Sequence, residues 1–372
     1  MLTLITTTSL FIFLFAYIIF YGYLFHKSKK SWNLNTNVAF QPKISILVPV
    51  HNEEETIEEK LLNIQEVDYP KEKIELIIVD DASEDNTLQE IDNALKRDLG
   101  LNIKTVKLET NHGKAVALNA ALESVSSSII IVSDADTLWP SDILKKALPY
   151  LADPTIGAVT SQGINKQDNE SWVTKCEDSY LKLTSFVRLG QSKLHSTIRF
   201  EGGFCAFKRE AFEKFDSESG SDDSGTALDV IQHNYRTILV PELIFYTKFP
   251  TELNGKFKIK IRRANQLIGL WVKSLKLLAK KQLRLPKRIV LPDFFLFIVN
   301  PIVFIVLCVS CVLTVLVHPL SSLSLFLIFS VFGLLIFARS LFVELVVDNL
   351  LLLYAFVSYL LGKRYVAWKK SN

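Results

Sequence analysis

Long apolar runs near both ends of the chain constrain its fold most strongly, because such runs avoid water. Residues 2–25 carry no charge, and their number matches what a helix needs to cross a bilayer. Basic residues follow this run rather than precede it, and no small-x-small cleavage site is evident. We therefore interpret residues 1–26 as a transmembrane helix rather than a signal peptide. The basic flank at 26–30 predicts that the following domain is cytoplasmic.

The C-terminal region, residues 289–372, contains three more apolar stretches, at 291–317, 320–338 and 341–361. We expect the first two to form a hairpin of spanning helices, and by length we favour a third span. That third stretch is ambiguous, because spanning would place the basic residues after 362 outside the cell. Its acids Glu344 and Asp348 share one helical face, where they could line a channel or hold the helix at the membrane surface. Two or three such helices predict an integral protein of the cell membrane that contacts membrane lipids.

Composition excludes other classes of protein. Of the 372 residues, 49% are apolar, too many for a purely soluble chain and too few for one buried entirely in lipid. The formal net charge of +3 gives no indication of nucleic acid as a partner. The four cysteines do not suggest a disulfide framework, and Cys308 and Cys311 lie in an apolar stretch where packed thiols are expected.

Strand-like and helix-like segments alternate between residues 42 and 262. The predicted strands are 44–49, 75–80, 103–108 and 128–133, and the predicted helices are 53–64, 87–99 and 115–123. This βαβ alternation predicts an α/β fold with a mixed, mainly parallel, Rossmann-like sheet and helices on both faces. Ligands of such sheets bind beyond the carboxyl ends of the strands. Pro49, Asp80 and Asp134 lie at these ends, so we expect one site to collect them.

The triplet Asp134-Ala135-Asp136 follows the apolar strand 128–133 directly. Two carboxylates at i and i+2 can converge on one divalent cation, Mg²⁺ or Mn²⁺, and that cation can hold a diphosphate that bare carboxylates would repel. An isolated Asp-x-Asp is usually a solvated turn. The neighbouring motifs favour the metal site.

Four further motifs stand at comparable positions: His51-Asn52-Glu53, Asp80-Asp81, the segment from His112 to Asn119, and Asp222-Asp223. Their order and spacing over residues 42–275 resemble the family-2 glycosyltransferases with a GT-A fold. One N-terminal anchor, a cytoplasmic domain, an amphipathic helix and C-terminal spans resemble the membrane synthase branch. That branch includes poly-N-acetylglucosamine, hyaluronan, chitin and cellulose synthases.

The resemblance implies a role for each motif. The nucleotide-sugar donor, which is expected to be a UDP-sugar, would be bound by Pro49, Glu53, Asp80, Lys114, Asp134 and Arg262. Asp136 and Asp134 would hold the metal. Asp223 resembles the general base, which takes the proton of the attacking acceptor hydroxyl. One such displacement inverts the anomeric centre and gives a β-glycosidic bond from an α-linked donor.

The acceptor site is implied to include Asp222 and the loop Glu201-Gly202-Gly203-Phe204. The glycines permit close backbone approach, and Phe204 could stack on a sugar face. A plain turn into a strand explains the loop about as well, and an acidic loop is the alternative for Asp222-Asp223. Residues 166–170 and the segment around Trp172 are further candidates for acceptor contact.

One motif departs from the processive synthases, which usually carry Gln-x-x-Arg-Trp on an interfacial helix. Residues 259–263 keep only the arginine, Arg262. Residues 263–288, which include Trp271, can be a basic amphipathic helix at the membrane surface or an ordinary helix packed on the catalytic domain. The acceptor is therefore a glycan or a lipid-linked molecule, and single transfer to a polyprenyl phosphate or glycolipid competes with polymerisation. A non-catalytic nucleotide-sugar-binding scaffold is the alternative from another class.

Overall fold

Parallel strands dominate the centre of the protein. The computed structural model describes residues 1–97, 99–166, 172–248 and 252–363. In these ranges one sheet has seven strands, in the order β3-β2-β1-β4-β6-β5-β7. The strands are β1 (Ile44–Val50), β2 (Ile74–Asp80), β3 (Asn102–Lys107), β4 (Ile129–Val132), β5 (Ile156–Asn165), β6 (Cys205–Lys208) and β7 (Arg236–Thr247). Strand β6 runs antiparallel to both of its neighbours, β4 and β5, and the other pairs are parallel.

Alternate residues of the central strands pack into two hydrophobic cores, one on each face of the sheet. Ile46 and Val48 pack on one face of the sheet, with helices α2 (Ile57–Gln65), α3 (Thr87–Leu95) and α5 (Ile143–Leu151). Leu47 packs on the other face, with α4 (Lys114–Leu122) and α7 (Asp222–Gln232). Strands β1 and β2 are buried along their whole length, which is why their sequences are almost continuously apolar. The predicted fold class, a mainly parallel sheet with helices on both faces, is confirmed.

Apolar helices flank the sheet domain in sequence. Among the described residues, three helices are long and apolar enough to cross a membrane: α1 (Leu2–Ser28), the continuous stretch Lys287–Val317, and α12 (Arg339–Leu360). The middle one consists of α9 (Lys287–Phe294), a π-helical turn (Phe295–Val299) and α10 (Asn300–Val317). Helix α11 (Ser322–Phe337) has 16 residues, so it is only about 24 Å long. The stretch that was ambiguous from sequence, α12, is thus a better candidate span than the one before it.

Two long helices connect the sheet domain to the apolar ones. Helix α6 (Trp172–Leu194) packs against α1 and α12, and α8 (Leu253–Ala279) packs against α12. The amphipathic helix expected at 263–288 therefore begins ten residues earlier and ends before 280. Trp271 is fully buried and stacks on Phe297, with ring centroids 6.3 Å apart. The packed alternative is correct for this tryptophan, because protein rather than lipid surrounds its ring.

Candidate active site

The ammonium group of Lys114 contacts carboxylates from distant parts of the chain. Its ammonium lies 2.7 Å from Asp134 Oδ1, 3.2 Å from Asp222 Oδ2 and 3.4 Å from Asp223 Oδ1. Lys114 is the first residue of α4, and Asp222 and Asp223 are the first two residues of α7. Burial acts to lower the pKa of Lys114, but the three carboxylates raise it well above its usual value. The lysine therefore stays charged and holds the ends of β4, α4 and α7 together.

Asp81 holds in place the loop that directly precedes Lys114. Its carboxylate accepts hydrogen bonds from the backbone amides of His112 at 2.9 Å and Gly113 at 2.7 Å. Gly113 has φ +90°, a backbone conformation that a side chain would strain. The sequence motif drew attention to Asp80, but the fully buried Asp81 is the residue that ties the end of β2 to the start of α4.

The loop after β4 that carries Asp134 and Asp136 is held by hydrogen bonds to Gly203. Trp139 donates its indole N–H to the carbonyl oxygen of Gly203 at 2.7 Å, and Ser133 donates to the same oxygen at 3.2 Å. A Cβ on the preceding residue, Gly202, would lie 2.6 Å from both Asp134 Oδ2 and Lys114 Nζ. The absence of a side chain at Gly202 therefore leaves room for the ion pair between Lys114 and Asp134.

Lys60 lies behind the same loop and escaped notice in the sequence. It is fully buried, donates to the Thr137 carbonyl at 2.8 Å and sits 4.1 Å above the centre of the Trp139 ring. Burial lowers the pKa of Lys60 to about 7, although Asp134 and Asp136 act to raise it. On a helix with two glutamates in its first turn, this lysine resembles an ordinary surface residue, so only the packing reveals it.

Asp222 and Asp223 differ in their affinity for a proton. Burial, followed by the charge of Asp222, raises the pKa of Asp223 well above its usual value. Burial also acts to raise the pKa of Asp222, but the charge of Lys114 and hydrogen bonds, including one with Asp223, together outweigh burial and lower that pKa. Two carboxyls with pKa values pushed apart form an arrangement suited to acid–base chemistry, because one stays ionised while the other holds its proton to higher pH.

Asp136 and Asp134 fit a divalent cation by their chemistry. Burial and the charge of Asp134 raise the pKa of Asp136, and a bound cation would relieve that repulsion. Asp136 makes no ion pair with any residue that the structure describes. Within the described ranges, no group of three or more His, Cys, Asp or Glu side chains could hold a metal alone. The remaining ligands of a cation would thus come from a diphosphate and water.

Most of the predicted site residues line one cleft of about 410 Å³, which is within the usual range for small-molecule sites. They are Glu53, Lys114, Asp134, Asp136, Gly203, Asp222, Asp223 and Arg262. Asp80 instead lines an adjoining depression with Ser83, whose hydroxyl lies 2.5 Å from Asp80 Oδ1. The two cavities meet at residues 111–112.

Pro49 and Phe204 are absent from the lining of both cavities. Pro49 is buried within β1. Phe204 is fully buried, and its ring packs edge-on against Trp139 with centroids 5.0 Å apart. The expectation that Phe204 stacks on an acceptor sugar is therefore wrong, because its faces are covered by the core. Of the further acceptor candidates, residues 167–171 lie outside the described part of the chain.

The family model that matches residues 45–216 is described as glycosyl transferase family 2. This segment is a family 2 glycosyltransferase domain. The assignment confirms the family expected from the order of the motifs. The matched segment extends from β1 to β6 and includes Lys114 and both acids of the Asp134-Ala135-Asp136 triplet. Asp222 and Asp223 lie shortly after its last residue, 216.

Curated proteins similar to this chain include bacterial polysaccharide synthases. The poly-beta-1,6-N-acetyl-D-glucosamine synthase of Staphylococcus epidermidis is 26% identical over 251 residues, which are 65% of this chain and 60% of that synthase. The protein of the same name from Staphylococcus aureus strain COL is 28% identical over 233 residues, 61% of this chain and 55% of that one. The chain thus spans a little over half the length of these relatives.

A solved structure resembles this chain over nearly its whole length. It is a mannosyltransferase from Pyrobaculum calidifontis, solved in complex with GDP-Man and Mn²⁺. The two chains are 28% identical, with a TM-score of 0.83, and the match covers 98% of this chain and 100% of the other. The similarity therefore extends beyond the sheet domain to the apolar helices.

Proposed function

We propose that this protein is a membrane-embedded, metal-dependent, inverting glycosyltransferase with its catalytic domain on the cytoplasmic side. It transfers one sugar from a nucleoside diphosphate sugar to a lipid-linked acceptor. The observation that carries the proposal is the convergence of Asp134, Asp222 and Asp223 on Lys114 in one cleft. A scaffold protein would have no need to bury three acids around one lysine, since that arrangement is costly without a ligand.

The donor's diphosphate would lie between the cation and two basic side chains. Asp134 and Asp136 would hold the cation, which would offset the negative charge of the diphosphate when bound. Lys114 and Arg262 would contact phosphate oxygens. The Nε of Arg262 is buried without a hydrogen-bond partner among the described residues, as expected for a donor reserved for a ligand. Asp80, in the adjoining depression, and Glu53, in the cleft, would then bind the nucleoside.

Asp223 would act as the base for the incoming hydroxyl. The acceptor oxygen bonds to the anomeric carbon, the carbon–oxygen bond to the β-phosphate breaks, and the hydroxyl proton passes to Asp223. The raised pKa of Asp223 suits this transfer, because the carboxylate is then a stronger base than a solvated one.

Transfer of a single sugar is favoured over polymerisation by two observations. Trp271 is buried against Phe297 and is not available to stack on a growing glycan. The solved structure matched along almost the whole chain is named a mannosyltransferase, whereas the polysaccharide synthases are matched over little more than half of their length. Their name nevertheless supports poly-N-acetylglucosamine synthesis as the second candidate.

The donor is best identified by nucleotide release from purified full-length protein. UDP-GlcNAc, UDP-Glc and GDP-Man should each be supplied with Mn²⁺ and with Mg²⁺, in membranes that contain lipid acceptors. The sequence motifs favour a UDP-sugar, and the name of the solved neighbour favours GDP-Man. The product from labelled donor should carry one sugar, and a ladder of longer products would replace our proposal with the polymerase.

Asp223→Asn separates catalysis from binding in the same assay. We expect transfer to fall at least 100-fold, because the base is lost, while metal-dependent nucleotide binding persists. Glu218→Gln, in the loop before the acid pair, is the matched acidic control and should behave as wild type. Substantial transfer by Asp223→Asn would remove this residue from its role.

A further inference from the structure

Two further arginines line the part of the cleft that adjoins the apolar helices. Arg188, on α6, is only 2% exposed, and Arg199 follows α6 in the loop before β6. The guanidinium of Arg188 pairs with Glu201 and donates to the Ser161 carbonyl at 2.6 Å. The two guanidiniums are close enough for the charge of Arg199 to lower the pKa of Arg188, after the larger lowering by burial.

Both guanidiniums keep buried donors that no described residue accepts. These are the Nε of Arg188 and the Nε and Nη2 of Arg199. Asp293 interacts with Arg199 through its charge, but its own Oδ1 also lacks a hydrogen-bond partner, and Gln191 binds only the other oxygen. It is unfavourable to leave several buried guanidinium N–H donors unpaired beside a second positive charge. An anion with several acceptor oxygens would accept hydrogen bonds from these donors and offset both charges.

The position of these arginines favours an anion attached to a lipid. The Arg199 guanidinium lies 5.5 Å from the ring centre of Phe297, in the π-helical turn of a candidate membrane span. Leu181 and Thr184, on the face of α6 beside Arg188, line the same part of the cleft. Helix α6 itself packs against α1 and α12, both candidate spans. A ligand here would reach the cleft from the bilayer.

The donor does not account for this anion site. The charges of Asp134, Asp222 and Asp136 act to raise the pKa of Arg262. Arg262 therefore lies with Lys114 at the end of the cleft proposed for the diphosphate. Arg199 instead interacts through its charge with Asp293, which lies on α9, within a candidate membrane span. A bare lipid phosphate would not account for the whole cleft either, because it is mostly ionised near neutral pH and has little need of Asp223 as a base.

We propose that Arg188 and Arg199 bind a phosphate group that joins the lipid tail of the acceptor to a sugar or polyol, whose free hydroxyl reaches Asp223. This proposal rests on the proposed function and specifies its acceptor. The phosphate fixes the acceptor in the cleft, and the hydroxyl forms the new glycosidic bond while the nucleoside diphosphate leaves. Arg188 and Arg199 are thus positioning residues for the acceptor.

Binding measurements with full-length protein test the proposal without any turnover. The probes are farnesyl-diphosphate-linked N-acetylglucosamine, phosphatidylinositol, and the phosphate-free farnesyl N-acetylglucosaminide. Wild type should bind one of the two phosphate-bearing lipids at least 10-fold more tightly than the phosphate-free glycoside, and which one it prefers identifies the source of the phosphate. In Arg199→Gln that preference should fall to less than 3-fold, and Arg199→Lys should keep part of it.

Controls separate this result from misfolding and from failure of the proposed function. Arg97→Gln, which alters an exposed ion pair with Glu58, should keep the wild-type preference. Arg199→Gln should still bind UDP or GDP with Mn²⁺ as wild type does, because its effect is confined to the part of the cleft that adjoins the apolar helices. Equal binding of the phosphate-free glycoside by wild type, or an unchanged preference in Arg199→Gln, would overturn the proposal. Full competition by millimolar inorganic phosphate alone would also overturn it, because it would show binding of a free anion rather than of a lipid-linked phosphate.

Discussion

At the scale of single residues, the site is governed by charges that are buried together. Lys114 is only 17% exposed in its side chain and still contacts three carboxylates, so each group determines the protonation of the others. The consequence is an unequal acid pair, in which Lys114 stabilises ionised Asp222 while Asp223 retains its proton to higher pH. This inequality comes from geometry, because the two residues are chemically identical neighbours in the sequence.

The raised pKa of Asp223 predicts a pH dependence of transfer. The base must be ionised to accept a proton, so kcat/KM should rise with pH through the raised pKa and then level off. Asp222→Asn removes the neighbouring negative charge and should move the acid limb to lower pH, whatever it does to the maximal rate. A pH profile of nucleotide release measures both. An acid limb that stays in place in Asp222→Asn would contradict the assignment.

Lys60 predicts a pH dependence of stability. Its pKa is about 7 in the folded protein and 10.5 in an exposed lysine, so the unfolded chain binds more protons between these values. Stability should therefore rise with pH across this window, by up to about 1.4 kcal/mol per pH unit from this residue. Thermal unfolding of wild type and Lys60→Met at pH 7 and pH 9 should show a larger gain for wild type. Lys96→Met, at an exposed position, is the control.

At the scale of helices and strands, α8 joins the catalytic domain to the apolar helices through buried ion pairs. Lys256 and Lys260, both under 10% exposed, pair with Glu344 of α12. Lys260 also lies 2.8 Å from Asp348. The acids that suggested a channel or a surface helix are therefore neutralised by lysines, and a buried set of this kind fixes how two helices pack.

The contact between α6 and α1 depends on a glycine. A Cβ on Gly190 of α6 would lie 2.4 Å from the Leu24 carbonyl oxygen of α1. Gly190→Ala should therefore destabilise the protein by about 1–3 kcal/mol, despite the better helix propensity of alanine. Gly22→Ala is a matched control, because nothing lies within 4 Å of its added Cβ, and it should be neutral or slightly stabilising. Equal melting temperatures for the two variants would show that the helices are not closely packed here.

At the scale of the whole molecule, the cleft is formed by helices and strands that are neighbours in space but lie far apart in the sequence. It is lined by the ends of β4, α4 and α7 together with α6 and α8. A ligand that bridges these parts should stabilise the entire fold. Nucleotide with Mn²⁺ at 100 times its dissociation constant should contribute about 2.7 kcal/mol to the free energy of unfolding.

Asp136→Ala tests that stabilisation. With the metal ligand removed, nucleotide with Mn²⁺ should no longer raise the melting temperature, and chelation of metal should likewise abolish the effect in wild type. Asp142→Ala, which alters an exposed ion pair with Lys146, should retain the full stabilisation. Stabilisation of Asp136→Ala equal to that of wild type would remove Asp136 from the metal site.

The sequence by itself determined the first four of the seven described strands and the helices between them, the resemblance to the family, and the position of the Asp134-Ala135-Asp136 triplet. These features depend on local apolar patterns and on chain order, which are written directly in the residues. Helix boundaries were less accessible, as the ten-residue error at the start of α8 shows, because a helix end depends on what packs beside it.

Only the tertiary structure decided which side chains face the cleft. It removed Phe204 and Trp271 from the surface, because core residues cover both rings, and it placed Lys60 and Arg199 beside the site. It also decided that Glu344 pairs with lysines of another helix. The physical reason is the same in each case: burial and charge partners come from residues far away in the chain, and a local pattern carries no information about them.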